Sequence, residues 1–72
     1  MKVRTGRELG ALVRDRREYM GLTQQELAKR ASVTREWLLR FEHGKSTVPL
    51  SKVLDVLTAL HLVIDVEDDD AR

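Results

Sequence analysis

Arg35, Glu36, Leu39, Arg40 and His43 follow an i, i+1, i+4, i+5, i+8 progression, which sets them on one side of a helix. A guanidinium donates two parallel hydrogen bonds, and the O6 and N7 edge of guanine accepts such a pair in the major groove, where an α-helix fits. Arg35 and Arg40 are therefore the candidates for reading guanine. Glu36 can accept from cytosine N4 or orient an arginine, and Leu39 can meet a thymine methyl. A row like this also suits a helix face that is merely solvated. Rival chemistry is missing: His43 and His61, the two histidines, end separate segments, cysteine is absent, and there is no HExxH, GxSxG or phosphate-binding glycine loop. No enzyme activity, metal site or cofactor is expected.

The row needs elements behind it, and the flanking residues supply them. Trp37, Leu38 and Phe41 form the inner face of the same segment, and Thr34 is placed to cap its start. Ahead of it, Thr23 and Glu26 form a capping box, in which hydroxyl and carboxylate each satisfy a free backbone N–H. Leu27, Ala28 and Ala31 then share one face, and the run breaks at Ser32 and Val33. Two short helices meeting at a tight break, the second with polar residues outward, have the layout of a helix-turn-helix. Upstream, Thr5 and Glu8 form another capping box for a helix with Leu9, Leu12, Val13 and Met20 inward, ended by Gly21. Gly10 inside it costs about 1 kcal/mol relative to alanine and leaves room for close packing there.

Downstream, Gly44 suits a left-handed helix end, and Pro49 suits the first turn of a fourth helix or the loop just before it. Leu50, Val53, Leu54, Leu57 and Leu60 give that helix an apolar stripe to His61, with Val56 and Ala59 on further sides. Such an excess of apolar surface suits either a wider core or a subunit interface. Residues 62–66 change period: Leu62, Val63, Ile64, Asp65 and Val66 read as a short strand, although nothing else in the chain offers a pairing partner. An acidic tail, 67–72, follows, and disorder is the default for such a run.

Composition narrows the class. At 72 residues the chain is one small domain, near the size where a single core is marginal. No apolar run approaches the roughly 20 residues needed to span a bilayer, and no signal-peptide core opens the sequence, so a cytoplasmic protein without a membrane role is expected. The net charge of +1 hides an asymmetry: residues 1–52 hold 12 Lys/Arg against 6 Asp/Glu, and residues 53–72 hold 1 against 6. A basic surface coinciding with the two short helices attracts a polyanion by counterion release.

Residues 23–45, with LTQQELA at the start, Val33-Thr34 at the turn and FEHGK at the end, resemble the Xre/Cro-type helix-turn-helix of phage repressors. Ala28 stands where that family has a small residue letting the helices approach, and Ser32 replaces its usual turn glycine. The resemblance runs from about Leu9 to Leu62. It is closest to the HipB-like antitoxins, which share the aromatic at Trp37, the GKxT after it and the KVLxVLxAL helix. It implies base contacts from Arg35, Glu36 and Arg40. Backbone contacts are implied from Gln24, where the family places a glutamine, and from Lys45, Ser46 and Thr47, where it grips phosphate. Thr23, Thr34 and His43 are further candidates for phosphate, and Lys52 can supplement a clamp that is thinner here because Val48 and Leu50 are apolar. An ion pair between Arg17 and Glu42, fixing the recognition helix on the first helix, is also implied.

The fold expected is all-α: a lambda-repressor-like bundle of four helices plus a short C-terminal β-strand pairing across a dimer. Residues 1–4 are read as a tail, 5–61 as the DNA-binding domain, 62–66 as the dimerisation strand and 67–72 as the acidic tail. Leu57, Leu60, Leu62, Val63, Ile64 and Val66 are the candidate interface. The partners implied are palindromic operator DNA, a second copy of the chain, and a HipA-like kinase toxin. The function implied is that of an antitoxin repressing its own operon, with a stand-alone repressor or a protein-interaction module on the same fold as alternatives.

Overall fold

The computed structural model describes residues 2–45 and 47–69. Four helices follow one another: α1 (Gly6–Tyr19), α2 (Gln24–Ala31), α3 (Arg35–Glu42) and α4 (Leu50–Ala59). The starts are set locally. The Thr5 and Thr23 hydroxyls accept from the backbone N–H of Glu8 and Glu26, whose carboxylates accept from the cap N–H in return, so both capping boxes close as expected. At α3 the Thr34 hydroxyl accepts from the Trp37 N–H at 3.0 Å. α4 lacks a side-chain cap, because Pro49 stands at its N-cap.

The helix ends depend on left-handed backbone. Gly21 and Gly44 take positive φ just beyond α1 and α3. Ser32, where the resembling family has glycine, adopts φ 57 and ψ 39 nonetheless, and its N–H bonds the Ala28 and Lys29 carbonyls. The turn thus keeps the left-handed geometry with a side chain present.

α1 packs on α3, and α2 packs on both α3 and α4. Val13, Leu22, Leu27, Ala28, Ala31, Leu38, Phe41, Val53, Val56, Leu57 and Leu60 form the core. Gly10 is buried at the α1–α3 crossing, and a Cβ there would run into the Phe41 carbonyl oxygen. That close approach is the reason for a glycine in mid-helix.

Three expectations about α4 are corrected. The inward stripe is Val53, Val56, Leu57 and Leu60, whereas Leu50 and Leu54 lie exposed. The helix ends at Ala59 rather than at His61, which takes φ 59 beyond it. Leu57 and Leu60, expected at a subunit interface, are 4% and 0% exposed, so they belong to the subunit's own core. Buried there, they leave no surface for a partner to cover. Leu62 also packs against the core, while Val63, Ile64 and Val66 remain exposed. Among the described residues no strand is formed and none pairs with the 62–66 segment. Beyond it, Asp69 pairs with Arg4, holding the described part of the acidic tail against the N-terminal residues. Asp70, Ala71 and Arg72 of the tail 67–72, Met1 of the tail 1–4, and Ser46 of the phosphate loop lie outside the described residues.

Candidate nucleic-acid interface

α3 is held from behind by apolar contact and by one buried ion pair. Leu38 and Phe41 are buried, and half-buried Trp37 stacks on Phe41 with ring centroids 5.2 Å apart. At the C-terminal end Arg17 Nε donates to Glu42 Oε2 at 2.7 Å and Nη2 donates to Oε1 at 3.0 Å. The third guanidinium nitrogen, Nη1, donates to the Leu22 carbonyl at 2.9 Å. The ion pair is the one the resemblance implied; with side chains 10% and 1% exposed, both charges are out of water, and every guanidinium nitrogen has a partner. Glu42 drives the Arg17 guanidinium further above its already high pKa, chiefly through this hydrogen bond and against the opposing effect of burial. α1 and α3 are thereby locked in one relative orientation.

On the outer side of α3, Arg35, Glu36, Leu39 and Arg40 are all exposed, with His43 just beyond. Among the described residues none of these four joins an ion pair, so both guanidiniums are available to a ligand. His43 Nδ1 lies 2.8 Å from the Leu39 carbonyl, which can only accept, so Nδ1 carries the proton in that bond. The Thr23 and Thr34 hydroxyls use their oxygens as cap acceptors and keep their O–H free to donate outward. Lys45 and Thr47 are exposed in the loop after α3.

Gln24, expected at the DNA backbone, is half-buried, and its Nε2 donates to Glu42 Oε1 at 3.2 Å, which ties the start of α2 to the buried pair. Lys52, expected at phosphate, places its Nζ 5.7 Å from the Trp37 ring centroid, a cation–π arrangement that joins α4 to α3. Glu26 is held below the usual carboxylate range by the Thr23 backbone N–H, then by the Thr23 hydroxyl. Two features escaped the sequence: the seat of Gln24 and the packing of Arg7 on Gly44. Both join residues far apart in the chain, and periodicity carries no signal for that.

The Helix-turn-helix domain family matches residues 8–69, nearly the whole chain. The chain belongs to this family of helix-turn-helix transcriptional regulators. An uncharacterized HTH-type transcriptional regulator of Sinorhizobium fredii, y4mF, is 40% identical over 65 residues, covering 90% of this chain and 86% of the relative. Another, from Methanothermobacter thermautotrophicus, is 47% identical, covering 85% and 96%. Among solved structures, a chain of a HipA-HipB-O2-O3 complex superimposes with a TM-score of 0.88 at 24% identity, over 97% of this helix-turn-helix chain and 99% of that one, a likeness of fold. The clp gene regulator ClgR from C. glutamicum follows at 0.78 and 28% identity, over 89% and 82%. Among the described residues of this regulator no helix is long and apolar enough to cross a membrane.

Proposed function

We propose that this helix-turn-helix regulator binds palindromic operator DNA as a homodimer, with α3 in the major groove of each half-site. The observation that carries the reading is the outward row of Arg35, Glu36, Leu39 and Arg40, exposed and, among the described residues, without ion-pair partners, on a helix whose other side is fixed by Phe41 and the Arg17–Glu42 pair. Arg35 and Arg40 read guanine, Glu36 accepts from cytosine or orients an arginine, and Leu39 contacts a thymine methyl. Thr23, Thr34, His43, Lys45 and Thr47 meet phosphates, and two α3 helices stand about 34 Å apart, one turn of DNA. The dimer forms through the exposed Val63, Ile64 and Val66, with Leu62 at the edge. Paired with a second copy, the 62–66 segment becomes a two-stranded sheet, which removes an otherwise unsatisfied apolar edge.

The finer reading is an antitoxin that represses its own operon and restrains a HipA-like kinase. It is supported by the 0.88 superposition on chains solved in HipA-HipB-O2-O3 and HipB-O4 20mer complexes. A gel shift on the chain's own upstream DNA, repeated across salt, tests DNA binding: a shift that weakens steeply with salt is expected, and none at any salt would sink it. Co-purification with the product of the neighbouring open reading frame separates the antitoxin from a stand-alone repressor.

A further inference from the structure

We infer that Arg7, at the start of α1, is a phosphate anchor belonging to the same surface as Lys45 and Thr47; this rests on the DNA-binding reading above. The residues lie far apart in sequence, and Gly44 brings them together. A Cβ built on Gly44 would lie 2.8 Å from the Arg7 Cα, 3.1 Å from its Cβ and 3.2 Å from its Cγ, so the stem of Arg7 runs directly against the backbone that ends α3. Lys45 is the next residue. Gly44 also has φ +68, so the position demands glycine twice, once for its backbone and once for Arg7.

The charges around Arg7 decide what it is free to do. Arg4, three residues earlier, is taken by Asp69. Glu8, the adjacent acid, turns its carboxylate back onto the N–H groups of Arg4 and Thr5 at 2.7 and 3.0 Å. Among the described residues no carboxylate pairs with Arg7, which is exposed. A guanidinium unpaired among the described residues therefore extends from a stem packed on Gly44, next in sequence to exposed Lys45, at the end of the helix that carries Arg35 and Arg40. Two exposed basic side chains rooted at one backbone contact fit one polyanion, and the bidentate geometry of arginine suits a phosphate. Because a phosphate contact carries no sequence information, Arg7 adds affinity on any duplex and fixes the register of α3.

The probe is a mixed-sequence DNA duplex, titrated by fluorescence anisotropy over a range of salt. Arg7→Ala is expected to weaken binding several-fold and to lower the slope of log K against log salt by about 0.9, the share of one phosphate. Arg7→Lys should keep the slope. Arg30→Ala removes the same formal charge from the exposed end of α2 and serves as control, with a slope close to that of the unaltered chain. Thermal melts of all variants establish that the fold is kept. If Arg7→Ala and Arg30→Ala have the same slope, the inference is overturned and the DNA-binding reading stands. A salt-insensitive unaltered chain overturns both.

Discussion

The helix-turn-helix at residues 23–45 and the segment after α4 obey different rules. In the first, nearly every structural choice is made twice: a capping box and a threonine cap fix the helix starts, left-handed residues fix the ends, and the buried Arg17–Glu42 pair repeats what Phe41 and Leu38 achieve by packing. In the second, Leu62 alone reaches the core, while Val63 and Val66 are 90% and 87% exposed and, of the described acidic residues beyond, Asp69 is held by Arg4. A recognition surface must be stiff before its ligand arrives, since slack in α3 would be an entropic cost of binding. A surface that pairs with another subunit takes its order from that partner.

The largest expected effect breaks the stiff region. Arg17→Ala leaves Glu42 buried without its counter-charge and should cost about 3 to 5 kcal/mol in urea unfolding, near the whole stability of so small a domain. Replacing both partners, Arg17→Met with Glu42→Leu, should restore much of that loss. A double variant as unstable as the single one would mean that the pair contributes more than mutual neutralisation.

Gly10→Ala should come next, at about 1 to 3 kcal/mol, because α1 must move off the Phe41 carbonyl to admit a methyl group. Thr23→Ala removes the α2 cap and should cost about 1 kcal/mol in thermal or urea unfolding. A smaller effect follows from Glu26, whose pKa is lower folded than unfolded. Its contribution is fully present above the unfolded value and is lost as pH falls through the folded one. Acid titration of stability should therefore show this loss at the low end of the carboxylate range, and Glu26→Gln should remove it.

The smallest effect on folding belongs to the other region. Val63→Asp with Val66→Asp should leave the urea midpoint of the dilute monomer unchanged, since both side chains are exposed. In sedimentation the unaltered chain is expected as a dimer and the double variant as a monomer. A variant that still dimerises would move the interface to Leu50 and Leu54, two exposed large apolar residues flanking the α4 core stripe.

The same contrast governs what can be read from the amino-acid order. Thr5 with Glu8, Thr23 with Glu26, and Thr34 reveal their helices because a cap needs a partner only three residues away. The outward row of α3 is legible because Trp37, Leu38 and Phe41 leave a single polar side. On α4 too many apolar residues satisfy the helical period, and it is tertiary packing, in which α2 lies against α4, that buries Val56 and leaves Leu54 exposed. Leu57 and Leu60 read as interface residues for the same reason. Arg17 with Glu42 becomes visible through family resemblance, because nothing local marks a contact across 25 residues.

Trp37 is the chain's single tryptophan, and it sits on α3, stacked on Phe41 with the Lys52 ammonium over its ring. The regulator thus carries its own optical reporter at the element that matters most. A duplex phosphate drawing Lys52 away would alter the indole's emission without any attached dye. Stopped-flow mixing could then time the docking of α3 in the unmodified protein.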